Sequence, residues 1–271
     1  MKKYIYILLA LATLSSCSKN ESSPAEIGEG SITISTNIET KASQSDSSSG
    51  IFQIPSDLIP SEEELTLHIT GEYVDIDTNS KISYDESFEG ITTFNSDFSV
   101  LWCGEYQATL SDGNDPQTEG EGCVHFASAT TPFTVEASKY DVAIALSVSL
   151  QNSIMRLSCD DWFFKYFSGA KLIITTGGGN KFTFDPFDES NDDRIVFVAP
   201  NTELKLSGTA SRANGGSDVT FAENTITTTK AGYITSINIE TTNVGALSVT
   251  VSIDDKIIKI HEDDIELNPI D

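Results

Sequence analysis

The amino-acid sequence predicts an all-β protein built from antiparallel β-sandwiches, and two observations lead to that class. Apolar and polar residues alternate in many short segments, which is the period of a half-buried strand. Glycine, proline, asparagine and aspartate separate these segments at short intervals, a spacing typical of sandwiches and not of parallel α/β units. The one helical candidate is DDWFFKYFSG, where Asp160 or Asp161 could cap a short turn and Gly169 could end it.

Residues 1–16 are expected to be an export signal that the working protein lacks. Lys2 and Lys3 precede an apolar run from Tyr4 to Leu14, which is too short to cross a bilayer. The run ends LSSC, which resembles the lipobox cut by bacterial lipoprotein signal peptidase. This resemblance implies that Cys17 is the first mature residue and carries lipid. The alternative is an ordinary signal peptide followed by an incidental cysteine.

The charge of the chain excludes one class of partner. It has 41 acidic and 16 basic residues, and removing the signal takes away two lysines and leaves 14 basic residues. This negative field repels phosphate backbones, and no basic cluster offsets it, so we expect no nucleic-acid binding. Anionic lipid surfaces are disfavoured for the same reason. Membrane attachment is therefore expected to depend on the acyl chains at Cys17.

A tether and two strands follow the signal. Residues 17–30 are polar, contain proline and glycine, and are expected to form a flexible tether. The first two strand candidates are SITISTNI and ELTLHITG, whose apolar faces comprise Ile32, Ile34 and Ile38, and Leu65, Leu67 and Ile69. Between them lies the low-complexity segment TKASQSDSSSG, a loop with Lys41 as a possible processing site.

Alternation continues along the rest of the chain. Two further segments, SVLWCGEYQATL and DVAIALSVSL, are predicted to share one face each: Val100, Trp102, Tyr106, Ala108 and Leu110, then Val142, Ile144, Leu146, Val148 and Leu150. AKLIITTGGGNKFTFDP is typical of a hairpin, and several shorter strand candidates follow it. A polar break at residues 151–153 separates the halves, so we expect one sandwich over residues 31–151 and another over 152–271.

The order of these segments resembles a known family. The stretches GEYQATLSDG, FTVEASKYDVAIALSVSLQNSIMRLS, WFFKYFSGAKLIITTGGGNKFTF and VFVAPNTELKLSGTA are similar to the Bacteroidetes lipoproteins classed as domain of unknown function 4493. The resemblance extends from about Gly30 to Ile260. It implies tandem immunoglobulin-like sandwiches, loosely similar to fimbrillin lipoproteins. The family has no established activity, so the resemblance supplies no catalytic residue.

Cysteine and histidine give few candidates for chemistry. A disulfide between Cys103 and Cys123 is possible in an oxidising compartment, whereas the alternative is that these residues and Cys159 are small buried apolar side chains. The three histidines, His68, His125 and His261, lack the partner spacing of zinc sites. No nucleophile-elbow signature occurs, so we expect no enzyme activity and no cofactor. The GGGN at residues 177–180 precedes a strand, which favours a turn over a phosphate loop.

Two further segments are weak candidates for binding. The loop DPFDESNDD could hold calcium through Asp185, Asp188, Asp192 and Asp193, with Glu189 beside them, but it lacks EF-hand spacing, which favours a solvated acidic loop. The aromatic group of Trp162, Phe163, Phe164, Tyr166 and Phe167 could be a sugar-stacking platform. A short helix would more often bury three of these rings as part of a core.

Together these features predict a non-enzymatic, lipid-anchored protein of the outer membrane with a structural or adhesive role. A carbohydrate-binding accessory lipoprotein is the alternative, and exposed aromatic rings would favour it. A detachable edge strand would instead favour a fimbrillin-like subunit. The residues after Cys17, SKNE, leave open whether the protein faces the cell surface or the periplasm. The expected partners are the membrane, through the lipid, and an unidentified protein or glycan.

Overall fold

A computed structural model of the chain describes residues 28–39, 54–189, 194–241, 247–253 and 256–258. Within these residues the backbone forms seventeen strands in three sheets. The strands are β1 Glu29–Ile38, β2 Thr66–Val74, β3 Lys81–Glu89, β4 Val100–Trp102, β5 Gly104–Ser111, β6 Phe126–Ser128, β7 Thr131–Val135, β8 Val142–Leu150, β9 Ser153–Cys159, β10 Phe167–Thr176, β11 Lys181–Phe184, β12 Val196–Val198, β13 Glu203–Arg212, β14 Val219–Thr228, β15 Ile234–Thr241, β16 Leu247–Ile253 and β17 Lys256–Ile258. The all-β class predicted from the sequence is confirmed.

Helical structure in the described ranges is short. Two single 3₁₀ turns span Ser56–Leu58 and Glu62–Glu64, and helix α1, Ile91–Thr93, continues as a π-helix over Phe94–Phe98. Helix α2 spans Asp161–Tyr166. No helix among these residues is long and apolar enough to cross a membrane.

Strands β1 to β8 form one sheet in the order β3-β2-β5-β6-β8-β1-β4, and β7 also pairs with β5. The period-two alternation explains its core, because one face of each strand is apolar. Buried side chains from β1, β2, β5, β7 and β8 contact one another there, among them Ile32, Ile34, Leu67, Ile69, Tyr106, Leu110, Phe133, Leu146 and Val148. The predicted apolar faces of β1, β2 and β8 are confirmed by this packing.

Strand β1 has two different partners along its length. Residues 29–31 pair antiparallel with β4, and residues 32–38 pair parallel with β8. Parallel pairing requires a long crossover connection, and here residues 39–141 lie between the two strands. β1 therefore pairs with β8, which is the last strand of this sheet in sequence order.

Strands β9 to β17 form two sheets, in the orders β11-β10-β13-β14 and β12-β9-β15-β16-β17. Their inner faces share a second core, which includes Leu157, Phe163, Ile174, Phe184, Val198, Leu204, Phe221 and Ile237. Strand β9 pairs parallel with β15, so the parallel arrangement of β1 and β8 has a counterpart here. The GGGN segment is a turn, since β10 and β11 pair antiparallel on either side of it.

The predicted face of SVLWCGEYQATL is wrong in its first half. Val100 is exposed and Leu101 is buried, whereas Tyr106, Ala108 and Leu110 are buried as expected. The physical reason is a break in the strand: β4 pairs with β1, and β5 pairs with β2 and β7. The alternation restarts at the break and shifts by one residue.

Helix α2 is shorter than expected and has a defined cap. Asp160 is the cap, because its Oδ1 accepts a hydrogen bond from the Phe163 N–H at 2.8 Å. The helix ends at Tyr166 and not at Gly169, because Phe167 already begins β10.

The two sets of strands meet where the sequence breaks. β8 ends at Leu150 and β9 begins at Ser153. Ile154, Phe197 and Ile234, from the second set of strands, are buried against the core of the first. A division into two domains at residue 151, and an immunoglobulin-like topology for each, stay predictions.

Candidate functional site

The outer edge of β1 is closed by a side chain where a neighbouring strand would normally lie. The Ile34 N–H donates to Asn95 Oδ1 at 2.8 Å, and Asn95 Nδ2 donates back to the Ile34 carbonyl at 2.8 Å. The Ile32 N–H donates to the Ser99 carbonyl at 3.0 Å. Among the described residues, no strand pairs with this edge beyond Ser31.

The residues around Asn95 hold it in place. Asn95 lies in the π-helix, whose Phe94 is fully buried and packs edge-on against Phe88 with ring centroids 5.0 Å apart. Backbone groups alternate in direction along a strand, so those of Thr36 and Ile38 face the same side as those of Ile34. The backbone groups of Thr36 and Ile38 therefore lie on an edge that no strand of the described residues covers.

A second candidate surface lies on the flanks of α2. We define the aromatic cluster as Trp162, Tyr166, Phe164 and Phe187. Trp162 is 42% and Phe164 is 43% exposed to solvent. The Trp162 and Tyr166 rings lie 6.3 Å apart at 26°, and the Phe164 and Phe187 rings lie 5.3 Å apart at 78°. Phe163 and Phe167 are buried and Tyr166 is half-buried against the same core, so three rings of this segment pack into the core as expected, while Trp162 and Phe164 stay exposed.

The aromatic cluster sits on a fixed base. Phe163 is buried completely, with its ring centroid 4.8 Å from that of Phe167. Asp160 ties the start of the helix to β15, because its N–H donates to the Ile239 carbonyl at 3.0 Å and its Oδ2 accepts from the Thr241 N–H at 3.0 Å. The helix therefore presents its outer rings from a backbone that is bonded on both sides.

A loop of residues 112–124, which we call the bridging loop, joins the two sets of strands. The Glu119 carboxylate accepts from Thr176 Oγ1 at 2.6 Å, from Asn180 Nδ2 at 2.7 Å and from the Ala199 N–H at 3.1 Å. Gly120 exchanges two backbone hydrogen bonds of 2.9 Å with Phe197 of β12. Because β12 is an edge strand of its sheet, the bridging loop covers the edge of β12 that faces away from β9.

A buried hydrogen bond between His125 and Asp112 closes the base of the bridging loop. His125 Nδ1 lies 2.6 Å from Asp112 Oδ1, and both side chains are more than nine-tenths buried. Asp112 Oδ2 accepts from the Phe126 N–H at 2.7 Å, and the Asn152 Nδ2 donates to the Cys123 carbonyl. His125 is therefore part of the hydrogen-bond network that fixes the base of the bridging loop.

The remaining histidines and candidate ligands are not brought together. His68 forms an exposed pair with Asp85 at 2.8 Å, and His261 lies outside the described residues. In the part of the chain that the structure describes, no three histidine, cysteine or acidic side chains are arranged to hold a metal. Asp185 and Asp188 are described but Asp192 and Asp193 are not, so the calcium site stays a weak prediction.

The structure does not contain the disulfide suggested for Cys103 and Cys123. Cys103 comes just before β5, and Cys123 lies near the far end of that strand, where Ser111 pairs with Ala127. Eight strand residues extend about 25 Å, whereas bridged cysteines have Cα atoms less than about 7 Å apart. Cys103 is buried, in keeping with the alternative expectation.

Two predicted residues, Cys17 and Lys41, lie outside the described ranges. Conversely, Asn95 and Glu119 were not expected from the sequence. Each is a single polar residue in an irregular segment, so no periodic pattern marks it.

Comparison with known families gives two matches. The model described as "Domain of unknown function (DUF4493)" matches residues 28–269. The model described as "Prokaryotic membrane lipoprotein lipid attachment site" matches residues 1–18, a range in which Cys17 is the single cysteine. The chain is therefore a membrane-anchored lipoprotein. None of the curated proteins matches it.

Solved structures similar to the chain include a fimbrial assembly protein of Parabacteroides distasonis, with 8% identity over 83% of this chain and 95% of that one and a TM-score of 0.42. A candidate cell adhesion protein of the same species has 10% identity, coverage of 83% and 98%, and a TM-score of 0.42. A candidate polysaccharide-binding protein of Bacteroides thetaiotaomicron has 7% identity, coverage of 88% and 99%, and a TM-score of 0.39. At these scores no function is transferred from them.

Proposed function

The chain belongs to the family described as domain of unknown function DUF4493, and from this premise we propose that it is a non-enzymatic surface component with a structural or adhesive, fimbrillin-like role. Its lipid would place it in the outer membrane. The tether after Cys17 would hold the sandwiches away from that membrane. The observation that carries the proposal is the edge of β1.

Strand β1 combines two properties that suit strand exchange. It contributes Ile32 and Ile34 to the core, so its loss would open an apolar groove beside β8. On its other side, beyond Ser31, the hydrogen bonds to the β1 backbone come from Asn95 and Ser99, and no strand of the described residues pairs there. An exposed apolar groove between strands is costly in water and favours a strand from a second subunit.

Cleavage after Lys41 would release this strand. The cut would separate residues 17–41, which carry the lipid and β1, from the remainder of the chain. A subunit freed in this way would lose its own anchor and gain an open groove. If a strand elsewhere in the freed subunit fills the groove of the next one, the groove and the donor strand are different surfaces, and successive subunits join head to tail.

Limited proteolysis tests the proposal. Mature protein carrying Cys17→Ser is treated briefly with trypsin, and the products are analysed by mass spectrometry and size-exclusion chromatography. We expect preferential cleavage after Lys41, loss of residues 17–41 and assembly into a ladder of oligomers. The Lys41→Gln variant is the control, and it should stay intact and monomeric under the same treatment.

One result would overturn polymerisation: a protein cut after Lys41 that keeps β1 bound and remains monomeric. The protein would then be a static surface module. Protease shaving of intact cells provides the separate test of location, since a surface protein is degraded there and a periplasmic one is protected.

Carbohydrate binding is a second candidate function, favoured by the exposure of Trp162 and Phe164. Under this alternative the protein is an accessory lipoprotein that holds glycans near the cell. A pull-down screen and a glycan array with the mature protein would distinguish it from a purely structural subunit.

A further inference from the structure

The aromatic cluster has the rigidity that a binding platform requires. Three of its rings project from a helix fixed by the buried Phe163 and by the bonds of Asp160 to β15, and Tyr166 and Phe187 are half-buried against the second core. Rings that are already ordered lose little conformational entropy when a ligand stacks on them. Leaving two large apolar rings more than 40% exposed has a cost in water, which a ligand covering them would remove.

The cluster consists of two pairs of rings on opposite flanks of α2. Trp162 and Tyr166 are four residues apart and therefore share one side of the helix. Phe164 lies on the other side and contacts Phe187 of the loop that follows β11. A helix with its side chains is about 10 Å across, so a ligand that touches both pairs must be an extended chain.

The charges around the rings define the chemistry of the ligand further. Asp161, Asp185, Asp188 and Glu189 are exposed on α2 and the adjoining loop. Ionised carboxylates accept hydrogen bonds and do not donate them, so the ligand must offer donors. Their negative charge repels sulfated and uronic-acid polymers.

One face of the Trp162 ring is already covered by a cation. Lys165 is the single basic residue of these two segments, and its Nζ lies 3.9 Å from the centre of the Trp162 ring. The chain therefore already supplies the cation that this ring attracts. Any ligand that stacks on this face, whether a sugar or a lysine side chain, would have to displace Lys165, and the test below compares the two.

We infer that the aromatic cluster is a binding platform for an uncharged oligosaccharide. Sugar rings offer apolar C–H faces that stack on aromatic rings, and their hydroxyl groups donate hydrogen bonds to neighbouring carboxylates. A neutral glycan therefore has the flat apolar faces, the donors and the lack of negative charge that this surface requires. The biological use of the platform rests on the proposed location outside the cell, whereas binding in solution does not depend on strand exchange.

The chain offers a specific optical reporter for this test. It contains two tryptophans, so Trp102→Phe leaves Trp162 as the only one. Mature protein with Cys17→Ser and Trp102→Phe is titrated with neutral gluco-, xylo-, manno- and chito-oligosaccharides of one to six units. We expect at least one neutral series to change the Trp162 emission saturably, with affinity rising until the chain spans both pairs of rings. Chondroitin sulfate and oligogalacturonate should leave it unchanged, as should an octalysine peptide in about 0.15 M salt, which screens its attraction to the acidic chain.

Variants locate the binding, and calorimetry measures it where Trp162 is absent. Trp162→Ala and Phe164→Ala should each weaken binding about tenfold or more, while Trp162→Phe keeps a ring and should retain most of it. Tyr140→Ala, which removes an aromatic side chain 63% exposed elsewhere on the surface, should change nothing. Circular dichroism checks that each variant is folded.

The inference is overturned if no neutral series binds, or if binding persists in the double variant of Trp162 and Phe164. It is also overturned if octalysine binds instead and Trp162→Ala abolishes that binding, which would assign the platform to a cationic protein segment. These outcomes are separate from those of trypsin cleavage, because the titrated protein is uncut.

Discussion

At the scale of single residues, a few polar side chains bond backbone groups that no strand reaches. Asn95 bonds both the N–H and the carbonyl of Ile34, and Glu119 accepts one bond from the backbone and two from side chains. Asp160 serves the start of α2 and the end of β15 together. A buried or half-buried polar group without such a partner would destabilise the fold by about 1–3 kcal/mol.

Burial also sets the reactivity of one thiol. Desolvation, and in second place the nearby Asp160 carboxylate, raises the pKa of Cys159 from an ordinary value of 9.0 to about 12. The thiolate is the reactive form, so the folded protein should resist alkylation at this position. At pH 9.5 we expect native Cys159 to react with iodoacetamide on the order of a hundredfold or more slower than in urea-unfolded protein.

The same shift fixes the sign of a pH effect on stability. Between about pH 9 and pH 12 the unfolded chain loses the Cys159 proton while the folded chain keeps it, so stability should fall as pH rises through this window and be unaffected below it. Site-resolved mass spectrometry measures the alkylation, and the Cys159→Ser variant should lose this part of the alkaline decline. Equal alkylation rates in native and unfolded protein would contradict the prediction.

The aromatic residues of the α2 segment are evident from the sequence, but which of their rings are exposed could not be predicted from it. DDWFFKYFSG is rich enough in aromatics for either a core plug or a platform. The outcome depends on where the helix is held, and that is set by contacts of Asp160 with β15, about 80 residues away in sequence. Local periodicity carries no information on such contacts.

At the scale of elements, strand positions could be predicted well and strand partners could not. The alternation of apolar and polar residues located β1, β2 and β8, because each strand has one buried apolar face. A period of two shows which face of a strand is buried, but it does not show which strand pairs with it. The parallel pairing of β1 with β8 joins residues more than a hundred positions apart. The break between β4 and β5 was also not predicted, because large apolar residues occupy even-numbered positions on both sides of it.

The bridging loop bonds the first set of strands to the second, and Glu119 makes three of these hydrogen bonds. In Glu119→Gln one carboxylate oxygen becomes an amide NH₂ group, which cannot accept a hydrogen bond. Depending on which oxygen is replaced, the protein loses either the bonds from Thr176 and Asn180 or the bond from the Ala199 N–H. We expect the free energy of unfolding to fall by about 1–3 kcal/mol. Urea denaturation followed by intrinsic fluorescence measures the change.

Glu89→Gln is a matched control, because it removes the same charge from an exposed position at the end of β3. Its effect should stay within about 0.5 kcal/mol. Identical denaturation midpoints for the two variants would show that the bonds of Glu119 contribute no net stability.

At the scale of the whole molecule, the lipid attachment site determines where the protein works. Replacing Cys17 by serine removes the residue expected to carry the lipid. We therefore expect Cys17→Ser protein to leave the membrane fraction and to incorporate no labelled palmitate.

Cys123→Ser serves as the control for that experiment, since it changes a cysteine of the folded region and should leave both membrane retention and labelling intact. Continued membrane association and labelling of the Cys17→Ser protein would mean that the lipid is attached elsewhere.

The parallel pairing of β1 and β8 has a mechanical consequence for an anchored protein. A pull away from the membrane enters the described residues near the start of β1. It leaves this pair at the end of β8, where the chain continues into β9. Because the two strands run in the same direction, these points lie at opposite ends of the pair, and the load acts along the strands as shear. The seven paired positions from Ile32 to Ile38 are therefore stretched together and not opened one at a time, which is the arrangement that best resists tension.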